Sequence, residues 1–546
     1  MTIPLKSLSI STASSGFYAG INRLVAIPAK LIIGSLIIWA VILPSQANSV
    51  LAGLNSFILS NFAAWYIGVM ALFALFCLAL VLWPKGGRLK LGQANDKPEF
   101  SNFSWISMMF GAGIGVGMLT WSIAEPLYHL QSSPEVILGR SDAGQENNAL
   151  NAFKWAYFHW GLSAWACYAI CGLALGYFAY RRNLPLTIRS SLASLFGSRL
   201  EGSFGHIIDI VAVVATILGI AQTLGFGVEQ FVAGMHRIGF GDWLLNEASK
   251  PTSAAIVFAV LSIVGASTLS AISGVGKGIK WLSNLNMVLS AFLLLFFLVF
   301  GATWFGINIF TAGFFEYLRN LPKMVFTIWQ ADGSIIGDGL ADWQGAWTVF
   351  TFAWWIAFAP FVGLFLARIS KGRTIREFIL GAIVAPTIIS VAWFAFAGGT
   401  AASLEITGAA KGMIYAASDG AKMFATVDVI LGSAASIISW VMACIIVVLL
   451  MTYLVTSADS AILIVNTINS GGRDEKRSNR HVIFWGITLG LVVAVLLMIG
   501  GLDAIKTAMV IGALPFSCVM VLMCASLGKA IYEDTRQTSV SASQTD

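Results

Sequence analysis

The sequence predicts an all-α polytopic membrane protein with about twelve transmembrane helices. Three observations predict it. Of the 546 residues, 58% are hydrophobic and 11% charged, with a mean hydropathy of +0.82, whereas soluble domains carry about 25% charged residues. Twelve stretches are apolar over the roughly 20 residues that a helix needs to cross a bilayer. The loops between them alternate in charge, as in a chain threaded back and forth through a membrane.

The spans fall at about 27–46, 62–83, 103–130, 150–180, 205–236, 254–273, 280–306, 345–369, 376–399, 427–466, 480–501 and 506–529. Basic residues stand before and at the start of the first span (Arg23, Lys30). They also follow the second (Lys85, Arg88, Lys90), fourth (Arg181, Arg182, Arg189, Arg199), sixth (Lys277, Lys280), eighth (Arg368, Lys371, Arg373, Arg376) and tenth (Arg473, Lys476, Arg477, Arg480). The intervening loops hold Glu135, Asp142 and Glu146, then Asp332, Asp338 and Asp342. Basic loops stay inside, so both termini are expected in the cytoplasm. The net charge of +6 is thus a topology signal and no sign of nucleic acid. No cleavable leader is expected, because the first 20 residues are too polar for one. The segment 310–324 mixes Glu316, Arg319 and Lys323 with Phe314, Phe315, Tyr317 and Leu321, the make-up of an external helix lying in the interface. Cysteines 77, 167, 171, 444, 518 and 524 sit in apolar spans and read as small buried hydrophobes.

Four spans are not ordinary. The third carries Gly111, Gly113, Gly115 and Gly117, then Trp121, Glu125 and Pro126. Glycines at every second position make no helical stripe; they weaken the helix and let a partner approach its backbone. The eighth has Trp354 and Trp355 side by side, Phe358 a turn later, and Pro360, which cannot donate to the helical ladder. The fourth holds Trp160, Trp165 and Tyr168, for which an aromatic belt is the competing reading. The tenth ends in Tyr453-Leu454-Val455-Thr456-Ser457-Ala458-Asp459, polar groups that are costly in a membrane helix unless used. Their oxygens suit an alkali cation, although a hydroxyl can also bond back to its own helix. Interruptions five spans apart point to an inverted-repeat transporter. Gly274-Val275-Gly276-Lys277 fails as a phosphate loop, since Ala271 and Gly278 stand where Gly and Ser or Thr are required. Without a nucleotide domain or a catalytic cluster the chain reads as no enzyme, and a secondary transporter or channel remains.

Ala353-Trp354-Trp355, Pro360-Phe361-Val362-Gly363, Ala367-Arg368-Ile369-Ser370 and Gly372-Arg373-Thr374-Ile375-Arg376 resemble the signature of the betaine/choline/carnitine transporters (BCCT), as do Gly113-Ile114-Gly115 and Glu125-Pro126. The resemblance spans nearly the whole chain and implies a LeuT-type inverted repeat of 5+5 helices (spans 3–7 and 8–12) with two extra N-terminal spans, often in a homotrimer. It implies onium substrates and sodium coupling, with no other cofactor. Its substrate cage would be Trp160, Trp165, Tyr168 and Trp355, with Trp354 and Phe358 on the path inward and Trp121 nearby. One sodium site would use Gly111, Ile114, Tyr453, Thr456 and Ser457. The other would use Thr216 and Phe361, but Ile220 stands where its second threonine is expected. Phe358 stands where many members have a third tryptophan. Sodium-independent exchangers place a basic side chain on span five; here 207–234 holds Asp209 and Glu229 but no Lys or Arg.

The domain layout expected is a cytoplasmic N-terminus (1–26), two peripheral spans (27–100), a first repeat (101–310), an external helix and loop (311–342), a second repeat (343–530) and a short cytoplasmic tail (531–546). The function expected is import of glycine betaine, choline, carnitine, dimethylsulfoniopropionate or trimethylamine oxide by sodium symport in a bacterial inner membrane. The alternative is a sodium-independent or proton-coupled exchanger, with Asp209, Glu125 or Asp459 as proton carriers. The short tail weighs against osmotic regulation.

Overall fold

A computed structural model describes residues 7–113, 115–273, 276–473 and 479–542. Ile114, Gly274, Val275, the loop cations Lys476 and Arg477, and the last residues of the tail fall outside these. Among the described residues the chain is helical almost throughout, and its only β-pairs are isolated bridges. The helices that matter are α1 (Arg23–Ile42), α2 (Pro44–Leu82), α3 (Asn102–Gly113), α4 (Gly115–Gln131), α5 (Ala149–Trp160), α6 (Leu162–Gly176), α7 (Ser203–Arg237), α8 (Ser253–Ser273), α9 (Gly276–Phe300), α10 (Phe314–Met324), α11 (Phe350–Ile369), α12 (Ile375–Trp393), α13 (Ser436–Asn469) and α14 (Asn479–Ala542).

Ten helices among the described residues are long and apolar enough to cross a membrane. The last, α14, bends at Gly501 (φ 64) and is two spans in one. The short α3 and α4, of 12 and 17 residues, form a further crossing together, which gives the twelve predicted. Boundaries shift in two places: α2 runs for 39 residues, and the tenth span begins at Ser436 after a separate short helix, Lys422–Leu431.

The alternation of loops holds in three dimensions. The loop after α2 pairs with the loop after α11, through Leu91 N–H to the Arg373 carbonyl (2.8 Å) and Ile375 N–H to the Leu89 carbonyl (2.8 Å). Arg181 and Arg182, after α6, bond Asp534 near the end of α14 at 2.6 and 2.7 Å. Asn22, before α1, donates to the Asn469 carbonyl at the end of α13 (2.8 Å). These basic loops therefore share one face. On the opposite face Lys154 bonds Glu135 (2.5 Å) and Tyr128 bonds Asp419 (2.8 Å).

One expectation is overturned. Pro360 does not break its span: α11 is continuous from Phe350 to Ile369. Proline removes one ladder bond, but the surrounding helices keep a membrane helix wound, and 94% of the apolar window of this span is buried, against 28% for α1. The irregularity lies about three turns earlier, in a wide helical turn at Gly345–Val349. The second true break is in the fourth span, at Gly161 (φ −99, ψ −140), between α5 and α6. A Cβ there would collide with the Tyr157 carbonyl oxygen. The amphipathic α10 packs on α5 at this point: the buried Tyr317 hydroxyl accepts the Leu162 N–H at 3.1 Å, satisfying the first orphan donor of α6.

Candidate substrate and ion sites

The break at Gly161 positions the aromatic cluster. Trp160 ends α5, while Trp165 and Tyr168 lie three residues apart on one face of α6. Helix α11 packs along α6 and sets Trp355 among them. The Trp355 ring lies 5.7 Å from Trp160, 5.7 Å from Trp165 and 4.7 Å from Tyr168. The walls meet nearly at right angles, at 79° for Trp160 on Trp355 and 88° for Trp165 on Tyr168. Trp355 meets Trp165 and Tyr168 at the intermediate angles of 58° and 52°, so the four rings contact one another tilted or edge to face and never stacked. All four rings are buried, and the indole N–H groups of Trp165 and Trp355 have no protein acceptor among the described residues. The box thus offers π faces and two free donors.

The other expected substrate residues surround this box. Trp354 packs edge-on against Trp160 at 5.8 Å and donates to the Thr223 hydroxyl at 3.2 Å. Phe358 touches Tyr168 at 6.3 Å. Trp121 stands one layer away, against Phe226 (5.0 Å) and Trp347 (5.9 Å). Sequence reasoning missed Phe226, which links Trp121 to Trp354 (5.4 Å), and Phe394, which backs Trp160 (5.6 Å). Neither carries a motif, and a lone Phe in an apolar span gives no signal.

It also missed a buried polar cluster behind the box. The Trp160 indole N–H donates to Glu125 Oε2 at 2.6 Å. Oε1 of the same carboxylate meets His159 Nδ1 at 2.6 Å and His129 Nε2 at 3.2 Å, and His159 Nε2 meets the Thr348 hydroxyl at 3.0 Å. Glu125 and His129 are spaced i, i+4 on α4, which was a legible cue; their meeting with His159 was not. Asp209 and Asp459, the other carboxylates considered, are also engaged: Asp209 with Arg189 (2.6 Å) and Asp459 with the Ser270 hydroxyl (2.5 Å).

The expected ion-site residues fall elsewhere. Tyr453, Thr456 and Ser457 line a cavity of about 130 Å3 with Phe361, Asn286 and Ser460. On the same measure a single water needs roughly 10–15 Å3, so the cavity is ample for an alkali cation. Gly115, at the start of α4, abuts the same residues: it takes φ 40, a left-handed conformation that leaves helical geometry and favours glycine, and a Cβ on it would lie 3.5 Å from Ser457 Oγ. Thr456 donates to the Thr452 and Tyr453 carbonyls at 2.9 and 3.1 Å, and its oxygen, facing away from the helix, accepts from Asn286 Nδ2 at 3.4 Å. The donor set, hydroxyls beside a broken helix, therefore fits a hard cation. Ile114 is outside the described residues, and of Gly111 only its place in α3 is described. Thr216 is buried and donates to the Ala212 carbonyl at 2.7 Å. It is not among the residues around this cavity, whereas Phe361, expected to share a second site with it, is.

A box of π faces and a separate hydroxyl-lined cavity beside a helix break, both inside a bundle of membrane-crossing helices, define a solute carrier. The comparisons identify which. The sequence model of the betaine/carnitine/choline family transporters (BCCT) matches residues 24–536. The chain is 37% identical over 502 residues to the glycine betaine transporter OpuD of Bacillus subtilis, covering 92% of this chain and 93% of that protein. It is 35% identical over 538 residues to the osmo-dependent choline transporter BetT2 of Acinetobacter baylyi, covering 95% of this chain and 73% of that one. A glycine betaine transporter of the same organism is 34% identical over 528 residues, covering 96% of this chain and 75% of that protein. The chain belongs to the BCCT family: it is a multi-pass membrane transporter, and its relatives are transporters, not enzymes.

Proposed function

We propose that this protein imports a betaine-like onium solute across the bacterial cytoplasmic membrane by sodium symport with alternating access. One observation carries the reading: Trp355 contacts Trp160, Trp165 and Tyr168 at once. A quaternary ammonium has no N–H to donate, so hydrogen bonds cannot hold it. Ring faces can, at about 0.5–2 kcal/mol each. The free N–H groups of Trp165 and Trp355 favour a substrate that also carries an acceptor oxygen. Glycine betaine, choline, carnitine, dimethylsulfoniopropionate and trimethylamine oxide all do. The names of the relatives, glycine betaine and choline transporters, lean toward the first two.

The cavity at Tyr453, Thr456 and Ser457 supports sodium as the coupling ion, since it groups hydroxyls beside Gly115 with no formal charge among the described residues of its lining. One sodium moving down 100 mV supplies about 2.3 kcal/mol, enough to accumulate a solute. In this reading residues 101–310 and 343–530 are two inverted halves of five spans each, residues 27–100 lie outside them, both termini are cytoplasmic, and the working unit is a homotrimer. Proton coupling is the second reading, favoured by the buried Glu125, His129 and His159. Proteoliposomes decide between them. Uptake of labelled glycine betaine and choline is measured with an inward sodium gradient, with an inward proton gradient, and with neither. Sodium-dependent uptake is expected, and uptake that ignores sodium would defeat the symport reading.

A further inference from the structure

The Glu125 cluster is sealed behind a box wall, and its hydrogen bonding assigns its charge. Trp160 Nε1 can only donate, and it points at Oε2. Oε1 faces one nitrogen of each histidine. If each imidazole donates there, its other nitrogen must be the bare one. For His129 that nitrogen is Nδ1, which is buried with no partner. A bare nitrogen is tolerated there, whereas a buried N–H without an acceptor would be costly. For His159 it is Nε2, which can accept the Thr348 hydroxyl proton at 3.0 Å. In this pattern the carboxylate only accepts, from the indole and from one nitrogen of each histidine. His129, His159 and Glu125 are 0%, 0% and 2% exposed, so the negative charge is held out of water and is screened less than a surface charge would be. What lies nearby, across one indole, is the inside of the box.

We infer that Glu125 is the counter-charge of the box, a positioning and specificity-determining residue that never touches the substrate. Its carboxylate fixes the tilt of Trp160 and, through the indole N–H, pushes electron density toward the ring face. A cation over that face is held more tightly; an uncharged molecule of the same shape is not. His129 and His159 serve this role by clamping Oε1 so that Oε2 stays on the indole. The inference rests on the proposed onium box.

The test separates charge from shape. The purified full-length protein is titrated with choline, with glycine betaine and with 3,3-dimethylbutan-1-ol, the uncharged carbon isostere of choline, and quenching of tryptophan fluorescence reports binding. Glu125→Gln keeps an acceptor for the indole and removes the charge. The expected result is about a tenfold loss of affinity for choline and for glycine betaine, with the isostere changed less than twofold. An equal loss for all three would overturn the inference and leave Glu125 as a shape-maintaining residue; no loss for any would overturn it too. If Glu125→Gln does not fold, the pair Glu125→Asp and Glu125→Asn asks the same question, because the two match in length and shape and differ in charge and in one oxygen exchanged for an NH2 donor: the Asp variant must prefer choline over the isostere by the wider margin. The underlying reading has its own control. If Trp355→Ala binds choline like the unmodified protein, the box itself is misassigned, whatever Glu125 does.

Discussion

The aromatic box and the hydroxyl-lined cavity are built in opposite ways. The box takes its chemistry from side chains on well-formed helices: Trp355 sits mid-helix in a continuous α11, and its partners flank a single break at Gly161. The cavity takes its chemistry from short hydroxyls and from the break beside Gly115, where the backbone has left the helical ladder. Side-chain rings suit a large, weakly hydrated cation; oxygens suit a small, strongly hydrated one. One helix serves both. From Trp355 ring contacts pass to Tyr168 (4.7 Å), from Tyr168 to Phe358 (6.3 Å), and from Phe358 to Phe361 (5.0 Å), which lines the cavity. The two sites are chemically independent and mechanically joined.

Substitutions should divide along that line. Trp355→Ala removes the ring shared by all the box contacts and should weaken onium binding about 100-fold, with the sodium dependence of residual uptake unchanged; fluorescence titration and sodium-dependent uptake read the two effects. Thr456→Ala should do the reverse. Losing one contact to a charged ion raises the sodium concentration for half-maximal uptake about tenfold, and at saturating sodium the solute affinity should return to normal. If Thr456→Ala weakened solute binding at every sodium concentration, the division between the sites would fail.

Smaller effects sharpen the geometry. A Cβ at Gly117 would lie 3.0 Å from Trp160 and 3.1 Å from Trp354. Gly117→Ala should therefore press on the outer side of the box and lower onium affinity about fivefold, by the roughly 1 kcal/mol that overpacking costs, without moving the sodium dependence. Tyr317→Phe removes the acceptor of the Leu162 N–H. It should cost about 1 kcal/mol of stability, seen as a drop of about 1–2 °C in melting temperature, with little change in affinity.

Much of this layout was legible in the sequence. Span count, loop charge and the box residues all rest on residue type at a given position, and Trp160, Trp165, Tyr168 and Trp355 converge as expected. The misreadings concern the backbone. Pro360 marks a missing donor, but whether the helix unwinds depends on what packs around it, and α11 is buried almost completely. Gly161 looks like any glycine in a membrane helix; the hydroxyl that caps the break there comes from Tyr317, far along the chain. Glu125 and His159 lie on different spans, and no spacing announces that they meet. Chemistry is written locally in this chain, while interruptions and clusters are decided by tertiary neighbours.

The near-perpendicular indoles of the box have an optical consequence. Of the 19 tryptophans, Trp160 has its ring centroid under 6 Å from those of both Trp354 and Trp355, at 86° to the first and 79° to the second. Chromophores so close and so rigidly skewed share their excited states. Near-ultraviolet circular dichroism should therefore contain an exciton couplet from this trio, and a solute that wedges Trp355 away from Trp160 should diminish it, making entry into the box visible without any label.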